Sequence, residues 1–182
     1  MEFELVTDRP ALNLVPTVAA RGTVDEEKLR TPSDLVDWVV ASGLVDVPPE
    51  VDGAGLQRAR ALREAMFRLV AALIDDRPVD PADRDVVNAA AAVAPPALRL
   101  DDGGLNREGD LEAVLALVAR DCLDLHAGPD RAALRWCDDP TCTRPFVDRS
   151  RGGRRRWCGM RGCGDRAKAA AYRQRLRAQP GG

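Results

Sequence analysis

The sequence predicts an α+β fold that is mostly α-helical, in which a helical N-terminal domain with short β elements precedes a small C-terminal module built around a metal ion. Two observations predict it. Apolar residues recur every three or four positions along 56–74 and again along 111–125, as in amphipathic helices. Two equally spaced cysteine pairs lie within 137–163, a pattern typical of metal sites. A chain of 182 residues can hold a medium domain with a small appendage.

A change of charge separates the two predicted domains. Residues 1–133 carry 14 Lys/Arg against 25 Asp/Glu, whereas residues 134–182 carry 13 against 4. We therefore predict an acidic helical domain at 1–130 and a basic module at 134–178. Even after four thiolates and one zinc ion lower its charge by two, the module should attract a polyanion.

The start of the chain lacks the features of an export signal. Residues 1–9 alternate acidic and apolar side chains, without a basic start followed by an apolar run. No apolar stretch is long enough to cross a bilayer. We expect a cytoplasmic protein that does not enter a membrane, and in a reducing compartment paired cysteines favour metal ligation over disulfides.

Capping residues, prolines and glycines divide the first half of the acidic domain. Residues 11–15 form a short apolar stretch. The run Thr31-Pro32-Ser33-Asp34 predicts the start of a helix that ends at Gly43. Residues 47–55 are rich in proline and glycine and predict a loop, after which the periodicity predicts a long helix over 56–74.

Three more elements complete the acidic domain. Asp80-Pro81 begins a helix that Pro95-Pro96 must end. The alternation along 97–105 predicts a small hairpin. A helix is expected from about 110 to 126, and Cys122 lies on its apolar stripe outside the paired cysteine pattern. We therefore expect Cys122 to be a buried structural thiol.

The remaining four cysteines form a symmetric double pair. Four residues separate the members of each pair, and fifteen residues separate the pairs. Zinc prefers four thiolates in tetrahedral, closed structural sites. The predicted ligands of one structural Zn²⁺ are Cys137, Cys142, Cys158 and Cys163. Such a site would leave no open position for water activation.

The segment between the two pairs predicts a β-hairpin. Residues 144–149 and 154–157 would form its strands, and the glycines of 150–153 would supply the positive φ angles of a tight turn. Phe146 and Trp157 could then cover the metal site.

An alanine-rich helix should follow the last cysteine, over 166–178, with Asp165 as its N-cap. Helical geometry places an arginine stripe beside a narrow apolar seam suited to packing on the module. The stripe is Arg166, Ala170, Arg173 and Arg177, and the seam is Ala169, Tyr172 and Leu176. A knuckle, a hairpin and a helix that supplies the last ligand together resemble a treble-clef zinc finger.

The basic residues of the turn and the last helix are the predicted nucleic-acid contacts, because guanidinium groups can reach phosphates and guanine edges. The predicted contacts are Arg149, Arg151, Arg154, Arg155, Arg156, Arg166, Lys168, Arg173 and Arg177. The alternative is a solvated basic face that complements the charge of the acidic N-terminal domain, within one chain or between copies.

The cysteines and the residues beside them resemble a known finger. The runs 146–150, 156–160 and 163–168 are similar to the CGNR zinc finger, which is named for the four residues at its last cysteine. The segments 10–15, 29–43 and 59–67 resemble the ABATE domain that usually precedes that finger. The resemblance implies a bacterial, stress-linked transcription regulator with a DNA-binding finger, in which the four cysteines hold zinc.

One residue departs from the finger's signature. Asp165 stands where the family has asparagine. A carboxylate at a base or phosphate contact would repel the phosphate, whereas aspartate serves as well as asparagine at an N-cap. Retention of Arg166 and Lys168 beside it favours capping over base reading.

Our leading hypothesis is a regulator whose zinc finger binds DNA while its N-terminal domain senses a small-molecule signal or forms a homodimer. RNA as the nucleic acid and a protein-interaction role for the finger remain alternatives. The sequence contains no glycine-rich phosphate loop, serine elbow or histidine-carboxylate cluster, so we do not expect an enzyme.

Overall fold

The computed structural model describes residues 3–178. Within them, six α-helices and three two-stranded antiparallel sheets follow one another. The elements are α1 (Pro10–Leu14), β1 (Val18–Ala19), β2 (Glu26–Glu27), α2 (Pro32–Ser42), α3 (Gly53–Ile74), α4 (Pro81–Ala91), β3 (Ala97–Asp101), β4 (Gly104–Glu108), α5 (Leu111–Ala127), β5 (Leu134–Trp136), β6 (Pro145–Val147) and α6 (Asp165–Ala178). The mostly helical α+β prediction is confirmed.

Local capping signals fix α2 as predicted. The Thr31 hydroxyl accepts a hydrogen bond from the Asp34 amide, and the Asp34 carboxylate accepts one from the Thr31 amide at 2.7 Å. The helix ends at Gly43, whose φ of 61° is the left-handed conformation that glycine adopts without strain. Each contact spans only a few residues, which is why the sequence alone located this helix.

Two helices begin where the sequence did not predict them. The apolar residues 11–15 belong largely to α1, with Pro10 at its first turn. The start of α3 lies within the predicted loop 47–55, because the Asp52 carboxylate accepts a hydrogen bond from the Gly55 amide at 2.6 Å. Gly55 is needed there, since a Cβ would lie 2.6 Å from the side chain of Leu111 on α5.

The core lies between α3 and α5, with α1, α2 and α4 packed around them. Cys122 on α5 is fully buried in this core, which confirms the predicted structural thiol, and burial raises its pKa to about 12. Leu134 of β5 and Val147 of β6 are buried in the same core. The ribbon of β5 and β6 therefore attaches the cysteine module to the helices by apolar contact.

A buried ion-pair cluster fixes the β1–β2 ribbon against α3. Arg63 is only 3 % exposed and donates to both oxygens of Glu27 at 2.7 Å and to Glu64 at 2.8 Å. Arg21 adds a second pair of hydrogen bonds to Glu64. The cluster satisfies its charges internally.

The predicted hairpin at 97–105 forms β3 and β4, with Leu100 opposite Leu105. Across residues 3–178, no helix has both the length and the apolarity needed to span a membrane.

Candidate metal centre and nucleic-acid interface

The four paired cysteines come together in space, with all Sγ atoms within 4.8 Å of one another. Cys142 Sγ lies 3.8 Å from Cys158 Sγ, which lies 3.7 Å from Cys163 Sγ. Sulfurs about 2.3 Å from a tetrahedral zinc are about 3.8 Å apart, so these separations fit Zn²⁺. Four thiolates without a fifth donor are the chemistry of a closed, structural site.

Two tight turns bring the cysteine pairs to this geometry. In the first, Asp139 accepts hydrogen bonds from the Thr141 amide and hydroxyl, and its carbonyl accepts one from the Cys142 amide at 2.9 Å. In the second, Gly162 has a φ of 83°, which allows the chain to turn sharply before Cys163. The Cys158 amide donates to Cys137 Sγ at 3.4 Å, which joins the two turns.

Aromatic side chains cover the sulfurs as expected. Phe146 is 2 % exposed and packs with the cysteines, and Trp157 lies half-buried beside them. A hydrogen bond shared with Cys158 lowers the pKa of Cys142 to about 5 and raises the pKa of Cys158, while burial helps raise the pKa of Cys163 to about 12. Zinc must therefore displace protons from Cys158 and Cys163, so zinc affinity should decrease as the pH is lowered.

Comparison with known families agrees with this geometry. A family model described as the CGNR zinc finger matches residues 133–176, which contain all four cysteines. The ABATE model, described as a putative stress-induced transcription regulator, matches residues 8–129, two thirds of the chain. The chain belongs to the ABATE family and carries a CGNR zinc finger. No curated protein matches it.

The ABATE protein thus has one structural zinc site, whose role is to hold the finger together. The predicted domain limits, 1–130 and 134–178, remain predictions. Several contacts join the two parts of the chain. Trp136 at the end of β5 donates to Asp75 at 2.8 Å, and its ring lies 5.9 Å from that of Phe67 on α3. The Arg21 amide donates to the Thr143 hydroxyl in the first cysteine turn at 3.1 Å.

The predicted hairpin within the finger is wrong in its strand pairing. Residues 145–147 form β6, which pairs with β5 and not with residues 154–157. The predicted turn at 150–153 is present, with φ of 87° at Gly152 and 62° at Gly153. Asp148 secures it by accepting hydrogen bonds from Ser150 and from the Arg155 amide at 3.0 Å. Sequence reasoning missed Asp139 and Asp148, although an Asp-x-Ser/Thr turn signal marks both.

Four of the predicted nucleic-acid contacts already have partners inside the protein. Arg149 forms ion pairs with Asp8 and Asp130 of the N-terminal domain. Arg155 donates to the carbonyls of Trp157 and Cys158, and its guanidinium lies 4.8 Å from the centre of the Phe146 ring. Arg156 pairs with Asp138 at 2.7 Å, and Arg166 donates to Asp139 at 2.9 Å and to Cys163 Sγ at 3.1 Å.

The other five are exposed on the turn and on α6. Lys168 makes only a long contact of 3.9 Å to Asp165. The remaining four have no ion-pair partner among residues 3–178, and they are Arg151, Arg154, Arg173 and Arg177. Arg161 and Arg175, which sequence reasoning did not select, are equally exposed and lack an ion pair within the same part of the chain.

The start and the apolar seam of α6 differ from prediction. Asp165 has helical angles, φ −71° and ψ −37°, and lies in the first turn of α6, so it is not the N-cap. The kinked turn over 160–164 leads directly into the helix and occupies the position that a cap would take. Tyr172 and Leu176 are 57 % and 53 % exposed. Ala169 is exposed as well, so the seam faces solvent and does not pack on the finger.

Proposed function

We propose that this ABATE protein is a regulator that binds DNA through the exposed cations of its zinc finger. The observation that carries the proposal is the separation of the finger's arginines into two groups. Those facing the helices or the cysteines, including Arg166 at the start of α6, are paired with carboxylates, sulfur or carbonyls. The arginines of the turn and of the later part of α6, which are Arg151, Arg154, Arg173, Arg175 and Arg177, face solvent without ion-pair partners in the described chain. Unpaired surface arginines in one basic module favour phosphate binding.

The zinc supports this function only by positioning the parts of the finger that carry the cations. It holds the turn at 150–153 and the start of α6 in a fixed relation, because their flanking residues Cys158 and Cys163 are ligands. Arg173 and Arg177 then lie on one face of α6, one turn apart, and can follow a phosphate backbone. With four sulfur ligands, we propose no catalytic role for the metal.

Fluorescence anisotropy with labelled duplex DNA across a salt series tests the proposal. Binding through several phosphates requires the affinity to fall steeply as the salt concentration rises. The slope of log affinity against log salt should be about −1 for each phosphate contacted. The same titration with duplex and single-stranded RNA decides the nucleic acid. Affinity that is absent for all of them, or that ignores salt, would refute the proposal.

A protein contact through α6 is the second candidate, and the exposed seam favours it. Tyr172 and Leu176 present apolar surface beside arginines, as protein interfaces often do. We propose that this seam could hold a second copy of the chain. Light scattering on the full chain and on the double variant Tyr172→Ala, Leu176→Ala distinguishes the candidates: a dimer lost in the variant supports the contact, and a monomer in both excludes a homodimer through this seam.

A further inference from the structure

Helix α6 exposes almost its whole circumference. From Lys168 to Arg177 every residue except Ala170 is exposed. Among residues 3–178, the turn over 160–164 is the only element with which α6 makes extensive contacts. Most of the helix surface is therefore open to a partner, and the arrangement of charge around the helix axis indicates which kind of partner fits.

The cations of α6 form two rows on opposite sides of the helix. Side chains advance about 100° per residue, which places Arg173 and Arg177 within about 40° of each other. Lys168 and Arg175 lie within about 20° of each other, and their row lies roughly opposite the first. Among residues 3–178, the only ion pair of either row is the long contact of 3.9 Å between Lys168 and Asp165. Two such rows match a partner that presents negative charge on both sides of the helix.

The major groove of duplex DNA is a partner of this kind. The groove is about 12 Å wide and admits a helix of about 10–12 Å diameter, with a row of phosphates along each side. A single strand presents one row of phosphates and would leave one row of cations in solvent. The deep, narrow major groove of duplex RNA does not admit side chains. The opposed rows therefore favour duplex DNA.

Of the two faces between the cation rows, only one carries an amide side chain. Ala171 and Gln174 lie on that face, and both are exposed. The other face is the apolar seam with Tyr172 and Leu176. A small side chain lets the helix backbone approach the bases, and a glutamine amide can pair with N6 and N7 of adenine in the major groove. Gln174 makes no side-chain hydrogen bond within residues 3–178, so its amide is available for this contact.

We propose that α6 enters the major groove of duplex DNA with Ala171 and Gln174 toward the bases, and that Gln174 selects an adenine. Arg173 and Arg177 contact the phosphates of one strand, and the row of Lys168 and Arg175 contacts those of the other. This inference rests on the DNA binding proposed above and adds the groove, the helix face and the base. The apolar seam then points out of the groove.

Single substitutions in each row test the placement in the groove. Zinc-loaded full-length protein is titrated with a duplex of mixed sequence across a salt series. Arg173→Ala and Arg175→Ala should each lower the slope of log affinity against log salt by about 1, and the double variant should lower it by about 2. A lowered slope in Arg173→Ala alone would show that one row contacts the DNA, and it would overturn this placement.

Selection from a duplex library with a randomised centre tests the role of Gln174. The unmodified chain should enrich an adenine at one fixed position. Gln174→Ala should reduce that preference by about 5- to 150-fold, the range for one bidentate base contact. Replacing the selected adenine by 7-deazaadenine, which lacks the N7 acceptor, should weaken binding of the unmodified chain. It should not weaken binding of Gln174→Ala further, because the two changes remove the same contact.

Gln57→Ala is the matched control, since it truncates an exposed glutamine on α3 in the acidic region. It should keep the adenine preference, and zinc content is measured for every variant. No enriched base, an unchanged preference in Gln174→Ala, or an equal loss in Gln57→Ala overturns this inference and leaves salt-dependent DNA binding intact. Absence of duplex binding by the unmodified chain refutes the proposed function and this inference together.

Discussion

Arginine has different roles in the two regions of this protein. In the acidic helical region Arg63 is buried between two glutamates, and Arg9 and Arg21 also pair with carboxylates. On the outer surface of the finger Arg151 and Arg173 have no such partner in the described chain. The excess of carboxylates in residues 1–133 and their scarcity after 134 produce this difference. The carboxylates nearby, and not the number of arginines, determine which of them can bind another molecule.

Removing a zinc ligand should have the largest effect. Cys158→Ser leaves three thiolates, and structural zinc contributes about 10–16 kcal/mol of binding free energy in small fingers. We expect zinc to fall from one per chain to none and the finger to unfold. Because Leu134 and Val147 lie in the helical core, the thermal midpoint of the helices should fall as well. Metal analysis and circular dichroism measure both effects.

The fifth cysteine provides the control. Cys122→Ala removes a buried thiol that contacts no zinc ligand, so the chain should keep one zinc and lose only about 1 kcal/mol of stability. Loss of zinc from Cys122→Ala, or full retention by Cys158→Ser, would contradict the assigned ligand set.

The buried arginine should have the next largest effect. Arg63→Met leaves Glu27 without its main partner and Glu64 with Arg21 alone, which should lower the free energy of unfolding by about 3–5 kcal/mol. Urea unfolding measures it. Arg58→Met, an exposed arginine paired only with Glu112, is the matched control on the same helix and should cost less than about 1 kcal/mol. Similar losses in the two variants would remove the distinction between buried and surface arginines.

The same cluster predicts a pH dependence. Burial alone would raise the pKa of Glu27 and Glu64, but hydrogen bonds from Arg63 and Arg21 outweigh it and bring both pKa values below their ordinary 4.5. Their contribution to stability is therefore complete above about pH 4.5 and is lost as the pH falls through the lowered values. The difference between the unmodified chain and Arg63→Met should shrink on acidification, and a constant difference down to pH 3 would argue against this assignment.

Features set by near neighbours in sequence could be predicted, whereas features set by distant contacts could not. The cap of α2 and the cysteine quartet depend on short spacings. The partner of β6 is β5 because Leu134 and Val147 must both reach the helical core, and no local signal encodes that. Likewise the sequence predicts Arg149 as a nucleic-acid contact, because its partner Asp8 lies 141 positions away along the chain and no local pattern reveals the ion pair.

Substitutions of Arg149 and Arg151 should distinguish the attachment of the finger to the N-terminal domain from the binding of DNA. Arg149→Gln breaks the ion pairs to Asp8 and Asp130 and should cost about 1 kcal/mol, in the range of partly exposed pairs. Its DNA affinity should stay within about twofold, because this guanidinium already has partners. Arg151→Gln should show the opposite pattern, with stability unchanged and affinity reduced. Thermal unfolding and anisotropy on both variants test this. A larger loss of DNA affinity in Arg149→Gln than in Arg151→Gln would contradict the assignment of Arg149 to the domain contact and of Arg151 to DNA.

The smallest effect on stability is expected from substitutions on α6. There the loss of a positive charge can be measured without a change in the fold. Arg173→Ala keeps helix propensity and removes a side chain without a partner in the described residues, so the free energy of unfolding should change by less than about 0.5 kcal/mol. The slope of log affinity against log salt should fall by about 1. Arg99→Ala on β3, an exposed and equally unpaired arginine of the acidic region, should leave that slope unchanged. If both variants lower the slope alike, the DNA contacts both regions, and the finger is not the only binding surface.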